Sequence, residues 1–214
     1  ELHGLHVLAV QGGNFPGVLT RDRPIRHLSD FKGLRLRAQS DAVDILKQLG
    51  ADPVNMPMGE VYSALAKGVI DGVVAPADTI RSLHFAEVAK HFTTIRFSRG
   101  AYPARAMSSR TWERLPPDLR AVLDEGRRVW EEALERQLLK AEAAGVEYGQ
   151  GNGITFSSIP VAEQKAFDAL YNKDAFDQAK RLGKIGIDAV PIYQEAQRLI
   201  SGGEIQCATQ EAKR

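Results

Sequence analysis

The sequence predicts an α/β fold in which helices pack on a mostly parallel sheet. The first observation is that residues 34–75 read as strand, helix, short extended piece, helix and strand. The second is a helical pattern that runs from Pro117 to about Gly149. Roughly 30 residues at 1.5 Å each would extend about 45 Å, which is longer than one small lobe is wide. In a protein of two lobes, such a helix would run across both.

Two strands and a loop are predicted near the N-terminus. LHVLAVQGG, Leu5–Gly13, alternates roughly and ends in glycines, so we expect a strand and then a loop through Pro24. Residues 29–33 read as a turn or a single helical turn. LRLRAQ, residues 34–39, alternates apolar and basic residues, which suits a strand with one edge in contact with water.

Two helices and a buried strand complete the alternating stretch. A helix is expected over residues 41–49, because Ser40 can cap its start and a glycine follows its end. A second helix over 59–67 carries apolar residues on one face and ends at Gly68. VIDGVVA, residues 69–75, is a β-branched run of strand length. The side chains expected to face inward from the second helix are Val61, Ala64 and Leu65.

The rest of the chain continues the mixture of helices and strands up to a polar tail, which we expect to be frayed. The other predicted elements are a helix from Asp78 to about Lys90, strands at 93–98, 104–109 and 154–158, and helices near 161–182 and 189–200.

Composition places the chain among ordinary globular proteins and excludes several classes. Of its 214 residues, 43% are hydrophobic and 26% are charged, and the formal net charge is +1. A balanced charge argues against nucleic acid as the main partner, because such proteins need a clustered basic face. The single cysteine, Cys207, excludes an internal disulfide and a cysteine-rich metal site. No apolar run approaches the roughly 18 residues of a membrane span.

The chain begins at Glu1 without a signal-peptide pattern. A mature product, a proteolytic fragment and a trimmed chain would each begin in this way, and the sequence leaves these alternatives open.

No catalytic, metal or cofactor motif is present in the sequence. It contains no HExxH, CxxC, GxSxG or Walker loop, and its five histidines are scattered. We therefore expect no cofactor, no metal site and no catalytic residues. A small α/β enzyme that uses Glu60 or Asp71 as an acid or base stays open as an alternative.

Two arginines give the strongest chemical signal in the sequence. Arg35 and Arg37 are two residues apart, so they lie on the same face of the predicted strand. A guanidinium at the edge of an α/β crevice can bind a carboxylate with two parallel hydrogen bonds. Taken alone, such an arginine is more often a surface charge.

Four sequence blocks and the long helix after them carry a resemblance to a known family. In order, they are DFKGLRLRAQ, LGADPVNMPMGEVYSALAKGVIDGVVAP, AEVAKHFTT and SSRTWERLPPDLRAVL, followed by the long helix. Their order and spacing resemble those of the solute-binding proteins of TRAP (tripartite ATP-independent periplasmic) transporters, of the DctP type. The blocks cover most of residues 30–123, and the match depends on their order rather than on one motif.

The resemblance implies a periplasmic-binding-protein type II-like fold with two α/β lobes and a long lobe-spanning helix. Family members carry most of their first lobe before the point that matches Glu1, so we expect the N-terminal lobe to be largely absent from this chain. Residues 1–100 would form the main part of the second lobe. Residues 101–150 would supply hinge strands, a remnant of the first lobe and the spanning helix. Residues 151–201 would return to the second lobe, and 202–214 would form a tail.

The resemblance also implies a binding site. Arg37 matches the family's carboxylate-clamping arginine, whereas Arg35 falls on a position that is commonly basic but does not clamp. Met58 matches a position that packs on the ligand, and Ala75 stands where many members have an asparagine. Asp78 and Tyr102 are further candidates for lining the cleft. A second arginine known in the sialic-acid branch would fall near Gly17, where this chain has none.

The alanine in place of asparagine and the missing second arginine favour a pocket less polar than one for sugar acids or C4 diacids. By resemblance, the protein is a non-enzymatic, periplasmic solute-binding protein, its signal peptide removed. It would capture an organic acid, preferably an apolar or aromatic monocarboxylate, and deliver it to TRAP membrane permease subunits. The long helix offers a surface for a homodimer. A ligand-sensing effector domain of a regulatory protein remains the main alternative, with the small enzyme as the third.

Overall fold

The structure is a computed structural model that describes residues 4–10, 13–97 and 104–201. For residues 40, 41, 200 and 201 it describes the backbone alone. The chain divides into two compact units, Glu1–Gln164 and Lys165–Arg214. Within the described ranges, no helix combines the length and the apolar character needed to cross a bilayer.

The first unit contains the sheets and most of the helices. Its strands are β1 (Leu5–Val10), β2 (Gly17–Thr20), β3 (Arg35–Arg37), β4 (Asp52–Val54), β5 (Gly72–Ala75), β6 (His91–Thr94), β7 (Ala104–Ser108) and β8 (Thr155–Ser158). Its helices are α1 (Ser40–Gln48), α2 (Met58–Ala66), α3 (Asp78–Ser82), α4 (Ser109–Glu113) and α5 (Pro117–Gly151), with short 3-10 turns at Leu28–Phe31 and Phe85–Glu87. Helix α6 (Val161–Gly183) begins here in sequence, and α7 (Val190–Ser201) belongs to the second unit.

The main sheet is mixed, with parallel pairing at the strands that carry the alternating pattern. Its order is β4-β3-β5-β2-β6-β8. Strand β3 pairs in parallel with β4 and β5, and β6 pairs in parallel with β8. Strand β2 is antiparallel to both of its neighbours. The predicted α/β class is therefore confirmed, and β3 has a partner on each side rather than a solvent-exposed edge.

Strand β2 corrects the prediction of a loop through Pro24. All four of its residues are buried, and it lies between β5 and β6 near the centre of the sheet. The four residues GVLT are too few to show a hydrophobic periodicity. They are buried because the strand pairs with strands that are distant in the sequence. Gly17 is needed there, because a Cβ atom would lie 2.6 Å from the ring of Phe92.

Helix α3 is shorter than the predicted helix from Asp78 to Lys90. It ends at Ser82, and His84 then adopts a left-handed conformation with φ of 58°. This turn leads into the 3-10 segment in which Phe85 is fully buried. The capping position is Ala77 rather than Asp78, and strand β6 begins at His91 rather than at Thr93.

The hydrophobic core lies between the sheet and the helices that follow its strands. The predicted inward face of α2 is confirmed, since Val61, Ala64 and Leu65 are all buried. Gly68 ends the segment with φ of 70°, as its place in the sequence predicts. The largest members of the core cluster are Leu19, Leu65, Ile70, Ile80, Phe85 and Phe92. Because α2 and β5 pack in this core, the end of β5, where the loop to α3 begins, is held in place.

Helix α5 is 35 residues long, which confirms the long helical segment of the sequence. It passes close to α3 through two buried glycines, Gly145 and Gly149. In the second unit, the hydroxyl of Tyr193 on α7 donates to the carbonyl of Asn172 on α6 at 3.0 Å.

A charged hydrogen bond ties the turn before β3 to the start of α6. The Nδ1 atom of His27 lies 2.6 Å from a carboxylate oxygen of Glu163, and the N–H of Leu28 donates to the other oxygen at 2.5 Å. The hydrogen bond and the charge of Glu163 raise the pKa of His27 above its ordinary value. The same hydrogen bond lowers the pKa of Glu163.

We expect the melting temperature of a His27→Gln variant to differ from that of the wild-type protein in a pH-dependent way. A histidine whose folded pKa is raised contributes stability that is complete below its unfolded value of about 6.5 and is lost as pH rises through the folded pKa. The wild-type advantage should therefore be largest near pH 5–6 and should disappear at pH 9. Thermal denaturation of both proteins across this range tests it, and an advantage that does not vary with pH contradicts the ion pair.

Candidate functional site

A cavity of about 340 Å³ lies beyond the carboxyl ends of two parallel strands of the main sheet. Arg37 is the last residue of β3, and Ala75 is the last residue of β5. Met58 at the start of α2 and Asp78 at the start of α3 also line it. The structure therefore brings together four of the five residues that the sequence nominated. Crevices at this edge of an α/β sheet are the usual place for ligands.

Tyr102, the fifth nominated residue, lies outside the described residues. Its role in the site stays a prediction.

Arg37 is a buried cation for which the described ranges supply one side-chain hydrogen bond. Its exposed fraction is 6%, and its Nε donates to the carbonyl of Met56 at 3.1 Å. Among the ion pairs of the described residues, none includes Arg37. Burial lowers the pKa of this guanidinium, although an arginine stays charged in proteins. A buried charge without a counter-charge is costly, so this position favours an anionic ligand.

Arg35 has a different environment although it lies only two residues away. Its Nε and Nη2 atoms donate to the two carboxylate oxygens of Asp71, at 3.0 and 2.8 Å. Nη2 also donates to the carbonyl of Gly68 at 2.8 Å. The hydrogen bonds from Arg35 lower the pKa of Asp71. The guanidinium of Arg35 is thus already engaged in an ion pair with Asp71, and Arg35 does not line the cavity.

The wall of the cavity is largely apolar. Met58, Ala75, Phe97 and Leu138 supply aliphatic and aromatic surface, and Phe97 is fully buried. Phe97 and Leu138 were not foreseen as site residues. Leu138 lies on α5, about 100 residues after Arg37 in sequence, so no local pattern could have linked them. Ala75 is 2% exposed and offers no side-chain polar group.

A few polar groups interrupt this wall. The hydroxyl of Thr79 donates to the carbonyl of Pro76 at 2.6 Å, which holds the turn that leads into α3. Gln39, Ser82 and Asp78 also line the cavity. Asp78 is half-buried, and its charge acts on Glu142 of α5. Burial raises the pKa of Glu142, the neighbouring Asp78 raises it further, and the N–H groups of Asp78 and Ala77 oppose the rise.

A second cavity of about 490 Å³ adjoins the first and shares Met58, Ser82 and Leu83 with it. None of its described lining residues is an arginine or a lysine. Its Tyr62 hydroxyl donates to Glu87 at 2.6 Å, so these two polar groups already have partners. The cavity that holds Arg37 is therefore the better site for an acid.

The other residues considered in the sequence do not gather into a reactive site. Asp71 is held by Arg35, and Glu60 is exposed in the first turn of α2. The ring of His6 stacks on Trp112 with centroids 3.7 Å apart. Among the described residues, no three His, Cys, Asp or Glu side chains lie where they could hold one metal ion.

The chain belongs to the DctP family, described as bacterial extracellular solute-binding protein, family 7, whose model matches residues 1–180. A curated relative, the C4-dicarboxylate-binding periplasmic protein DctP of Rhodobacter capsulatus, is 28% identical over 200 residues. That match covers 89% of this chain and 57% of the relative. The chain thus spans less than two thirds of the length of this relative.

Solved structures of TRAP solute-binding proteins show the same fold. One from Rhodoferax ferrireducens, in complex with copurified benzoate, matches with a TM-score of 0.80 and 27% identity, over 94% of this chain and 64% of that one. Another, from a marine metagenome and specific for aromatic acid ligands, matches with a TM-score of 0.78 and 27% identity, over 92% and 63%. The fold is therefore that of a partial two-lobed TRAP solute-binding protein.

Proposed function

We propose that this protein captures an organic acid through Arg37 and delivers it to TRAP membrane permease subunits in the periplasm. The observation that carries the proposal is the buried guanidinium of Arg37, which lines a cavity and has no carboxylate partner in the described part of the chain. Two parallel hydrogen bonds from its Nη atoms would hold a carboxylate in a fixed orientation. Binding returns the ligand unchanged, so the role is that of a carrier rather than an enzyme.

The preferred ligand class is a monocarboxylate with an apolar or aromatic body. The wall formed by Met58, Ala75, Phe97 and Leu138 supports this preference, because such a body gains free energy when it leaves water. Ala75 supplies no hydrogen bond where many family members have an asparagine. The names of relatives span benzoate, C4-dicarboxylates and sialic acid, so family membership alone does not choose among them.

A panel of acids tests the proposal by thermal shift. It contains benzoate, phenylacetate, pyruvate, succinate and sialic acid. Since the chain spans part of its relatives' length, each acid is tested on this chain and on a version that carries an N-terminal portion taken from a relative. We expect the aromatic monocarboxylates to raise the melting temperature most, with a larger rise in the extended version because more of the ligand is buried. If no acid raises it in either version, the proposal fails.

We also propose a homodimer through α5. Leu119, Val122 and Val129 on this helix are 47%, 66% and 52% exposed. Apolar side chains exposed along one element are common at interfaces. Sedimentation equilibrium at micromolar concentrations should show a dimer that Val122→Asp dissociates, whereas Gln137→Glu at an exposed polar position of α5 should leave it intact. A monomeric wild-type protein contradicts the dimer.

A further inference from the structure

Asp78 gives the candidate cavity a charge opposite in sign to that of Arg37. Arg37 ends β3, and Asp78 begins α3 just after the end of β5 at Ala75. Since β3 and β5 are parallel neighbours, both charged residues reach the cavity from the same edge of the sheet. Among the described residues that line this cavity, these two are the charged ones.

Glu142 is a second carboxyl group close to Asp78. It lies on α5 one helical turn after Leu138, which lines the cavity. Its Oε2 atom is buried and has no hydrogen-bond partner in the described structure. The backbone N–H of Asp78 donates a hydrogen bond to the carboxyl group of Glu142, which places the two residues next to each other. The potential is therefore negative near Asp78 and positive near Arg37.

We infer that the ligand is a monocarboxylate whose body carries a hydrogen-bond donor, a hydroxyl or an amine, that faces Asp78 while the carboxylate binds Arg37. The inference rests on the proposed function, and it narrows the ligand class. A carboxylate oxygen accepts several hydrogen bonds, so Asp78 can receive the donor while it keeps its present interactions. A second carboxylate on the ligand would meet the carboxylate of Asp78, and like charges repel. We therefore expect a dicarboxylate to bind more weakly than the matching monocarboxylate.

The remaining polar groups of the cavity do not replace Asp78 in this role. The Thr79 hydroxyl donates to the carbonyl of Pro76, and its oxygen is a neutral acceptor that binds a ligand donor more weakly than a carboxylate does. Gln39 and Ser82 are exposed and uncharged, so water competes with a ligand for them. A hydrogen bond to a charged acceptor is about twice as strong as one between neutral groups.

Two matched ligand series test the inference by isothermal titration. The aromatic series is benzoate, 3-hydroxybenzoate, 3-(aminomethyl)benzoate and isophthalate, and the aliphatic series is butyrate, 4-hydroxybutyrate, 4-aminobutyrate and succinate. Within a series, the ligands differ mainly in the group that would face Asp78. For at least one series, we expect the hydroxyl or amine ligand to bind the wild-type protein about tenfold more tightly than the parent acid. The dicarboxylate should bind most weakly.

Variants at Asp78 separate the hydrogen bond from the charge. Asp78→Ala should remove the tenfold preference, and the parent acid should still bind. Asp78→Asn should weaken the discrimination against the dicarboxylate. The control Glu60→Gln removes an exposed carboxylate of α2 outside this cavity, and it should behave as the wild-type protein does.

The outcomes distinguish this inference from the proposed function. If Arg37→Ala abolishes binding but both Asp78 variants bind every ligand as the wild-type protein does, the inference is overturned and the proposed function stands. A wild-type protein that binds a dicarboxylate most tightly also overturns it. If no ligand binds, or if Arg37→Ala binds all of them normally, the proposed function itself fails.

Discussion

Replacing Arg37 with alanine should lower the affinity for the best-binding acid at least tenfold and leave the protein folded. A hydrogen bond to a charged group contributes about 1.5–3 kcal/mol, and every 1.4 kcal/mol is a factor of ten in the dissociation constant. Arg37 is 6% exposed, so its hydrogen bonds to a ligand carboxylate would be formed largely out of contact with bulk water. Isothermal titration of the wild-type and variant proteins measures the loss.

The stability of the Arg37 variant should change much less than its affinity. Burial lowers the pKa of the guanidinium, which means that folding disfavours its charged form. Without ligand, relief of this desolvation cost opposes the loss of packing and of the hydrogen bond to Met56, so we expect the melting temperature to change little. A large drop in melting temperature would show instead that Arg37 has a structural role, and the clamp assignment would lose its support.

Arg35 supplies the matched control, since it is the same residue type on the same strand. Arg35→Ala removes the paired hydrogen bonds to Asp71 and the bond to Gly68. Because this pair is partly exposed, we expect a modest cost of about 1 kcal/mol, or about 2–4 °C in melting temperature. Ligand affinity should change little. An affinity loss at Arg35 larger than that at Arg37 would reverse the assignment of the two arginines.

The two arginines also show how far the sequence could carry the prediction of the site. Spacing alone placed Arg35 and Arg37 on one face, and the resemblance chose between them. The physical difference lies in Asp71, which follows Arg35 by 36 residues and meets it only after β3 and β5 pair. A local pattern does not encode such a partner. The choice of Arg37 agrees with the geometry, and its role in binding stays a prediction until affinity is measured.

The sequence predicted the fold correctly where a segment shows a hydrophobic periodicity of its own. It failed where the burial of a segment depends on residues that are distant in the sequence. The amphipathic pattern of α2 and the length of α5 were readable, because a helix repeats its signal over several turns. Strand β2 has four residues, all buried, and its character depends on β5 and β6. Helix α3 is shorter than predicted because His84 adopts a left-handed conformation and Phe85 is buried. Neither residue is of a helix-breaking type, so the sequence does not show where the helix ends.

Gly145 should be the most sensitive glycine of α5, because the helix uses it to approach the start of α3. A Cβ atom there would clash with the carbonyl oxygen of Ala77 and would lie 2.7 Å from the Cα of Asp78. Both are backbone atoms, which cannot rotate away as a side chain can. We expect Gly145→Ala to cost about 1–3 kcal/mol or more, as overpacking does. Because α3 carries Asp78 and Thr79 into the cavity, ligand affinity should fall as well.

Two other glycines of the same helix make a graded series with Gly145. At Gly149, a Cβ atom would lie 3.0 Å from the ring of Phe156 and 3.2 Å from Ile80, and both side chains can shift, so the cost should be smaller. At Gly126, nothing lies within 4 Å, and alanine should stabilise the helix by about 0.5–1 kcal/mol. Chemical denaturation of the three alanine variants should therefore rank them Gly126, Gly149, Gly145 from most to least stable. If Gly145→Ala is as stable as Gly126→Ala, α5 does not press on α3, and the cavity does not depend on that contact for its shape.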